Sequence, residues 1–220
     1  MASQPTSMRR ARERDLVRAT RALFDERGLQ DAPIEEIARA VGIARGLIYR
    51  QFSSKEELYV LTVTDYLAEL DGLLGEATSA DLGPVAQLEA WAHAYVGFCL
   101  RYPAFLDCAL SLMHRPAGEL REALSESVWL RLGQGIATCV AHVSDILRTG
   151  AAAGVFAVED PDYMANVLLT QVLGATHLAR IRVGIRQAAP GIPELFSVDA
   201  EQLERTCVAS ALATVGASRS

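Results

Sequence analysis

Residues 33–55, PIEEIARAVGIARGLIYRQFSSK, spell two short helices joined by a glycine turn and followed by a capped third. Ile34, Ile37, Ala38 and Val41 recur at helical spacing, so one face of the first segment is apolar while Glu35, Glu36 and Arg39 point to water. Gly42 ends it, because glycine alone enters the left-handed C′ conformation without steric cost. A second helix begins near Ala44, with Leu47, Ile48 and Phe52 as its apolar set and Arg45, Gly46, Tyr49 and Arg50 outward. Two helices separated by about four residues with Gly in the turn form a helix-turn-helix over 33–52, whose second helix enters the major groove of DNA.

Ser54 and Glu57 read as a capping box opening a third helix, the hydroxyl serving the Glu57 amide and the carboxylate reaching back. Lys55 lies in its first turn, where the macrodipole disfavours a cation unless a phosphate sits there. It is also the sole lysine of the chain; every other strongly basic residue is arginine.

IEEIARAVGIARGLIYRQFSSKEEL, residues 34–58, resembles the signature of the tetracycline-repressor (TetR) family of bacterial transcription regulators. Ile37, Ala38, Gly42, Gly46, Ile48, Tyr49, Phe52, Ser54, Lys55 and Glu56 match that pattern, and the resemblance extends over about 10–70. It departs in two places: Ala44, and Ala32 with Pro33, stand where relatives carry Ser or Thr caps. An alanine cap forfeits about 1 kcal/mol and one polar DNA contact at each. The resemblance implies that Tyr49, Gln51 and Lys55 hold phosphates, and that the remaining helices enclose a cavity for a small apolar or amphipathic effector. Arg45 and Arg50 fit base edges, since arginine pairs bidentately with guanine O6 and N7. Leu47 suits a thymine methyl, and Gly46 a close backbone approach.

Half of the 220 residues are apolar, which excludes a disordered chain, and the net charge is −6. That charge is uneven: residues 1–60 hold eleven Lys and Arg against nine Asp and Glu, the rest ten against eighteen, so +2 at the head faces −8 in the body. Such a polarity favours oriented DNA binding over non-specific coating. No run approaches the ~20 apolar residues of a membrane span, and residues 1–8 are polar rather than a signal-peptide core, so a cytoplasmic protein is expected. Cys99, Cys108, Cys139 and Cys207 lack CxxC spacing and read as small buried hydrophobes in a reducing compartment.

The pattern predicts an all-α architecture with no strand. Residues 1–8 read as disordered. Helices are expected over 9–27, stopped by Gly28, and over the two motif segments; others fall at 54–74, 84–101, 103–113, 118–153 with a kink at Gly133 and Gly135, 161–183 and 199–215. Pro84 and Pro161 suit first-turn positions, with Asp160 as a cap. Arg9, Arg10, Arg12 and Arg14 could reach phosphates or a minor groove, or simply solvate a helix start. The expected organisation is an N-terminal three-helix DNA-binding domain over 9–54 and a helical effector-binding and dimerisation domain over 55–220. The helix opened by Ser54 is shared by both.

The last two helices are apolar on more than one face, and a helix with two such sides needs two partners. A two-fold homodimer through a four-helix bundle follows, with Leu168, Gly174, Ala175, Leu178, Ala209, Leu212 and Ala213 at its interface; burial inside one protomer is the alternative. No GxSxG, HExxH, P-loop or GxGxxG pattern occurs, and none of the four histidines has Glu three residues before it, so neither catalysis nor a metal or cofactor is expected. Trp91, Tyr95, Phe98, Cys99, Met113 and Trp129 form an aromatic, cysteine and methionine group that serves either as plain core or, as the resemblance implies, as the effector cavity. Gln171 and His177 are candidates to orient the ligand. The reading is a sequence-specific regulator, a repressor released from a palindromic operator by its effector; a helical-bundle ligand carrier or enzyme with a vestigial DNA head is the alternative.

Overall fold

The computed structural model describes residues 4–27, 33–78 and 81–217. Along them run α1 (Gln4–Arg27), α2 (Ile34–Val41), α3 (Arg45–Gln51), α4 (Lys55–Ala77), α5 (Pro84–Arg101) and α6 (Pro103–Met113). Then follow α7 (Ala117–Glu122), α8 (Glu126–Ala152), α9 (Pro161–Ile181), β1 (Val183–Ala189), β2 (Ile192–Ser197) and α10 (Ala200–Thr214). The chain divides into two compact units, Met1–Glu69 with Pro103–Ile136 and Leu70–Tyr102 with Ala137–Ser220, so α4 and α8 each contribute residues to both.

In the first unit, α1 buries Leu16, Val17, Leu23 and Phe24, and lies against α2, α3 and α6. The short helices answer with Ile34, Ile37 and Ala38 from α2 and Ile48 from α3, with Phe52 buried just beyond. Gly42 sits at φ +69°, its amide bonding the Arg39 carbonyl at 3.1 Å while the Ile43 amide reaches Ala38 at 2.9 Å. This paired closure satisfies two carbonyls that a helix end leaves orphaned, and it fixes the angle at which α3 departs. Neither Pro33 nor Ala44 supplies a side-chain cap. Ser54 does, its Oγ accepting from the Glu57 amide at 3.1 Å.

Four features differ from the sequence reading. Residues 4–8 are helical instead of disordered, because Met8, Arg9, Arg10 and Ala11 are good helix formers that let α1 extend backwards; residues 1–3 and the expected stop at Gly28 lie outside the described residues. The Glu57 carboxylate reaches Ser53 N at 2.8 Å and Ser125 N at 3.0 Å, bonding the amide one place earlier than a capping box requires. That second bond takes Ser125 N out of helical pairing and accounts for the third difference: the segment expected as one helix over 118–153 breaks between α7 and α8. α8 then continues through Gly133 and Gly135; at Gly135 an added Cβ would meet the Leu67 side chain at 3.3 Å, so this glycine serves a close helix approach.

The fourth lies in the second unit, where α5, α9 and α10 pack on one another around Trp91, Tyr95, Phe98, Leu168, Val172 and Val208. Pro84 and Pro161 occupy first-turn positions, and Asp160 accepts from the Tyr163 amide at 3.0 Å. α9 stops at Ile181, where Arg182 turns left-handed at φ +63°, and the chain forms an antiparallel hairpin before α10. Its turn is Pro190 and Gly191, the latter at φ +78°. One hairpin face closes on itself: the Phe196 ring lies over Gly184, where a Cβ would stand 2.3 Å away, and Arg186 pairs with Glu194 at 2.8 and 2.9 Å. The other shows Ile185 and Leu195, cross-strand partners that are 73% and 68% exposed.

All four cysteines are free and buried. Among the described residues no single helix is long and apolar enough to cross a membrane.

Candidate nucleic-acid interface

α3 is anchored by one buried residue, Ile48, with Leu47 half-buried beside it, and everything else on the helix is set by that anchor. Arg45, Gly46, Tyr49 and Arg50 are exposed, Gln51 is half-buried, and Lys55 is exposed at the start of α4. By helical spacing Arg45, Gly46, Tyr49 and Arg50 share the solvent-facing side of α3, Leu47 and Gln51 lie half-buried at its margins, and Lys55 is exposed on the next helix.

Arg45 is not idle in the free protein. Its guanidinium lies 5.7 Å above the Tyr49 ring and 2.6 Å from Glu35 Oε1 on α2. Tyr49 first and Glu35 second push the Arg45 pKa up. The Gln51 amide donates to the Arg9 carbonyl at 3.3 Å, which links the recognition helix to the arginine-rich start of α1. At Gly46 no atom lies within 4 Å of the place a Cβ would take, so the glycine answers no packing need inside the protein.

The scaffold behind this surface is held by charge as well as by apolar packing. Arg21 on α1 pairs with Asp65 at 2.8 Å and with Glu69 on α4, and stacks 4.1 Å over the Tyr66 ring, whose hydroxyl donates to Asp25 at 2.5 Å. Arg131 pairs with Glu13 at 2.6 Å, tying α8 to α1. Sequence reasoning missed Glu35, Glu57 with Ser125, and this Arg21 cluster; an i, i+4 spacing of Arg21 and Asp25 was the one local signal.

The expected effector residues are divided. Trp91, Tyr95, Phe98 and Cys99 are buried together in the second unit, with the Trp91 and Tyr95 rings 5.6 Å apart. Burial pushes the Cys99 thiol up to about 12. Trp91 Nε1 is buried with no hydrogen-bond partner among the described residues. Met113 and Trp129 belong to the first unit, exposed and half-buried respectively, while Gln171 and His177 stand exposed on α9. Of the residues expected at a dimer interface, Leu168 is only 1% exposed and belongs to the protomer's own core. Ala175 and Leu212 are half-buried, whereas Gly174, Leu178, Ala209 and Ala213 are exposed. Gln171 and His177 share the face of Gly174 and Leu178 by helical spacing. His93 is engaged by Glu204 at 2.8 Å and His142 by Asp71 at 2.7 Å. No group of three or more metal-ligating side chains occurs among the described residues.

The family model for bacterial regulatory proteins of the tetR family matches residues 16–61, which span α1 from Leu16 through the start of α4. The chain is 35% identical over 85 residues to the HTH-type transcriptional repressor KstR2 of Rhodococcus jostii, covering 39% of this chain and 42% of the relative. To the HTH-type transcriptional regulator BetI of Cronobacter sakazakii it is 32% identical over 136 residues, covering 57% and 65%. Both alignments span less than two thirds of the relative's own length. The solved structure of RolR in complex with resorcinol matches 96% of this chain and 91% of its own at a TM-score of 0.67 and 19% identity, a likeness of fold.

Proposed function

We propose, because this chain belongs to the tetR family of bacterial regulatory proteins, that it is a homodimeric DNA-binding transcriptional repressor released from its operator by a small-molecule effector. The observation that carries this reading is the exposed surface of α3: a short helix anchored by Ile48 that turns Arg45, Tyr49 and Arg50 outward around a glycine no packing requires. Arg45 and Arg50 address base edges and Leu47 a thymine methyl. Tyr49, Gln51 and Lys55 hold phosphates, and Gly46 admits the backbone to the groove. Two such heads related by a dimer axis read half-sites about 34–36 Å apart on a palindrome. Gly174, Leu178, Ala209 and Ala213, all exposed, form the dimer face, with Ala175 and Leu212 at its margin.

For the effector, the buried cluster of Trp91, Tyr95, Phe98 and Cys99 offers an apolar lodging with one orphaned donor. A buried N–H without an acceptor costs about 1–3 kcal/mol, which a ligand oxygen would recover. The RolR complex with resorcinol, a small molecule, is consistent with that class of ligand. α4 and α8 contribute to both compact units, so an effector that prefers one arrangement of them shifts the population of DNA-competent dimers. A hundredfold loss of operator affinity requires about 2.7 kcal/mol of such coupling.

Selection of bound fragments from random duplex DNA, followed by Arg45→Ala and Lys55→Ala, tests the interface. Arg45→Ala is expected to cost about 1–3 kcal/mol on the selected site and relax one base position, whereas Lys55→Ala weakens all sequences alike. Equal losses from Arg45→Ala on selected and random duplexes overturn the role assignment. A wild-type protein that no duplex retains in a salt-sensitive way leaves a bundle carrier with a vestigial head.

A further inference from the structure

A cavity of about 220 Å³ opens inside the first unit, between α1, α2, the first turns of α4 and the end of α6. It lies in a different compact unit from the Trp91 cluster and shares one residue, Lys55, with the DNA-facing surface described above. Its floor is apolar and buried, made by Phe24, Ile34, Ile37 and Leu58. The rim carries Lys55 and Arg115, with Glu56 as the one carboxylate in the lining. Neither cation makes an ion pair among the described residues, and Ser111, whose side chain hydrogen-bonds Tyr59, also lines the space. Tyr59, also in the wall, donates to the Cys108 carbonyl at 3.0 Å and is hydrogen-bonded by the Ser111 side chain, so it contributes a ring face rather than a free proton.

We infer that this cavity binds a small amphipathic monoanion, one ring or short acyl chain carrying a carboxylate. The volume falls below the ~300–1,000 Å³ of sites that hold drug-sized ligands, so the occupant is small. An apolar floor under two cations that make no ion pair among the described residues asks for both a hydrophobic body and a negative head. A neutral ring leaves the cations unanswered; a bare anion leaves the floor wet.

The consequence rests on the DNA-binding reading. Lys55 is the residue assigned there to an operator phosphate, and Ile34 and Ile37 hold the helix that positions α3. An anion in the cavity claims the same ammonium group and props α2 against α4 and α6. Ligand and duplex then compete for one cation, independently of any effector bound in the other unit.

Isothermal titration of the full-length protein, without DNA, uses benzoate as the probe, with benzamide lacking the charge and acetate lacking the ring. Benzoate is expected to bind saturably, the two controls about tenfold more weakly or worse, and Arg115→Gln to weaken benzoate about tenfold. Arg115 is exposed and outside the DNA set, so this variant should keep the wild-type melting midpoint and duplex retention. Benzoate at ten times its own dissociation constant should lower apparent duplex affinity about tenfold by mass action. The inference is overturned by equal binding of benzoate and benzamide, by benzoate affinity indifferent to Arg115→Gln, by loss of benzoate in Trp91→Phe while Arg115→Gln binds normally, or by no saturable binding. Saturable, Arg115-dependent benzoate binding in a protein that no duplex retains would uphold the cavity and sink the regulator reading instead.

Discussion

On the proposed reading Arg45 leaves Glu35 to touch a base, and the ion pair it gives up is exposed on both sides and correspondingly weak. Glu35→Gln therefore releases the guanidinium and removes a negative charge from the DNA-facing surface. Duplex retention should tighten by about two- to fivefold, more at low salt than at high; an unchanged affinity across salt concentrations counts against the parked-arginine view. Gly46 poses the converse case. With open space around its missing Cβ and no left-handed backbone, Gly46→Ala should raise protein stability by up to ~1 kcal/mol while weakening DNA binding. A variant that gains stability and keeps its affinity shows that the backbone does not approach the groove. Glu57 brings a pH dependence. Burial, the largest influence, raises its pKa, but hydrogen bonds from Ser125 and Ser53 outweigh it and hold the carboxylate below its ordinary 4.5. A depressed folded value means stability that is complete above the unfolded pKa and lost as pH falls through the folded one. Melting midpoints should fall on acidification below pH ~4.5, and Glu57→Gln should flatten that limb while costing about 1–3 kcal/mol at neutral pH.

Among the elements, the helix-turn-helix was legible because its signals are local: apolar residues at three- and four-residue spacing, a left-handed Gly42 and the Ser54 cap all act within one or two turns. The caps at Asp160 and the prolines at 84 and 161 were legible for the same reason. The break before α8 was not, because it depends on a bond from Glu57 to Ser125, sixty-eight positions away. The hairpin was concealed differently. Val183 and Ile185 alternate, and Pro190 with Gly191 is a turn signal, but each strand is short and Pro193 interrupts the second. At the recognition surface the outward set could be read, whereas the partners that hold it, Glu35 for Arg45 and the Arg9 carbonyl for Gln51, are set by how helices cross. Gly150 is an element-scale test of packing. A Cβ there would lie 2.0 Å from the buried Phe156 ring, so Gly150→Ala should destabilise by about 1–3 kcal/mol in chemical denaturation. An unchanged midpoint would mean that the Phe156 turn moves aside freely.

For the molecule as a whole, the first sixty residues are net positive and the remainder acidic, and on the proposed dimer reading this polarity orients encounter with DNA while pairing of two heads decides which sites are read. Leu178 is 42% exposed in one protomer, so Leu178→Glu should leave helical circular dichroism intact while sedimentation shifts from dimer to monomer and duplex retention drops. A dimer that survives this substitution places the two-fold axis elsewhere. The hairpin between α9 and α10 carries a further consequence for association. A ladder of two strands has no interior strand, so each strand keeps an outer border of main-chain donors and acceptors able to recruit another chain. Pro193 withholds one amide from that border, and the Arg186 and Glu194 charges guard one face beside it. These act as gatekeepers against lateral growth: a Pro193→Val substitution would complete the row of donors next to Ile185 and Leu195, turning the arm into a nucleus for fibrils on heating.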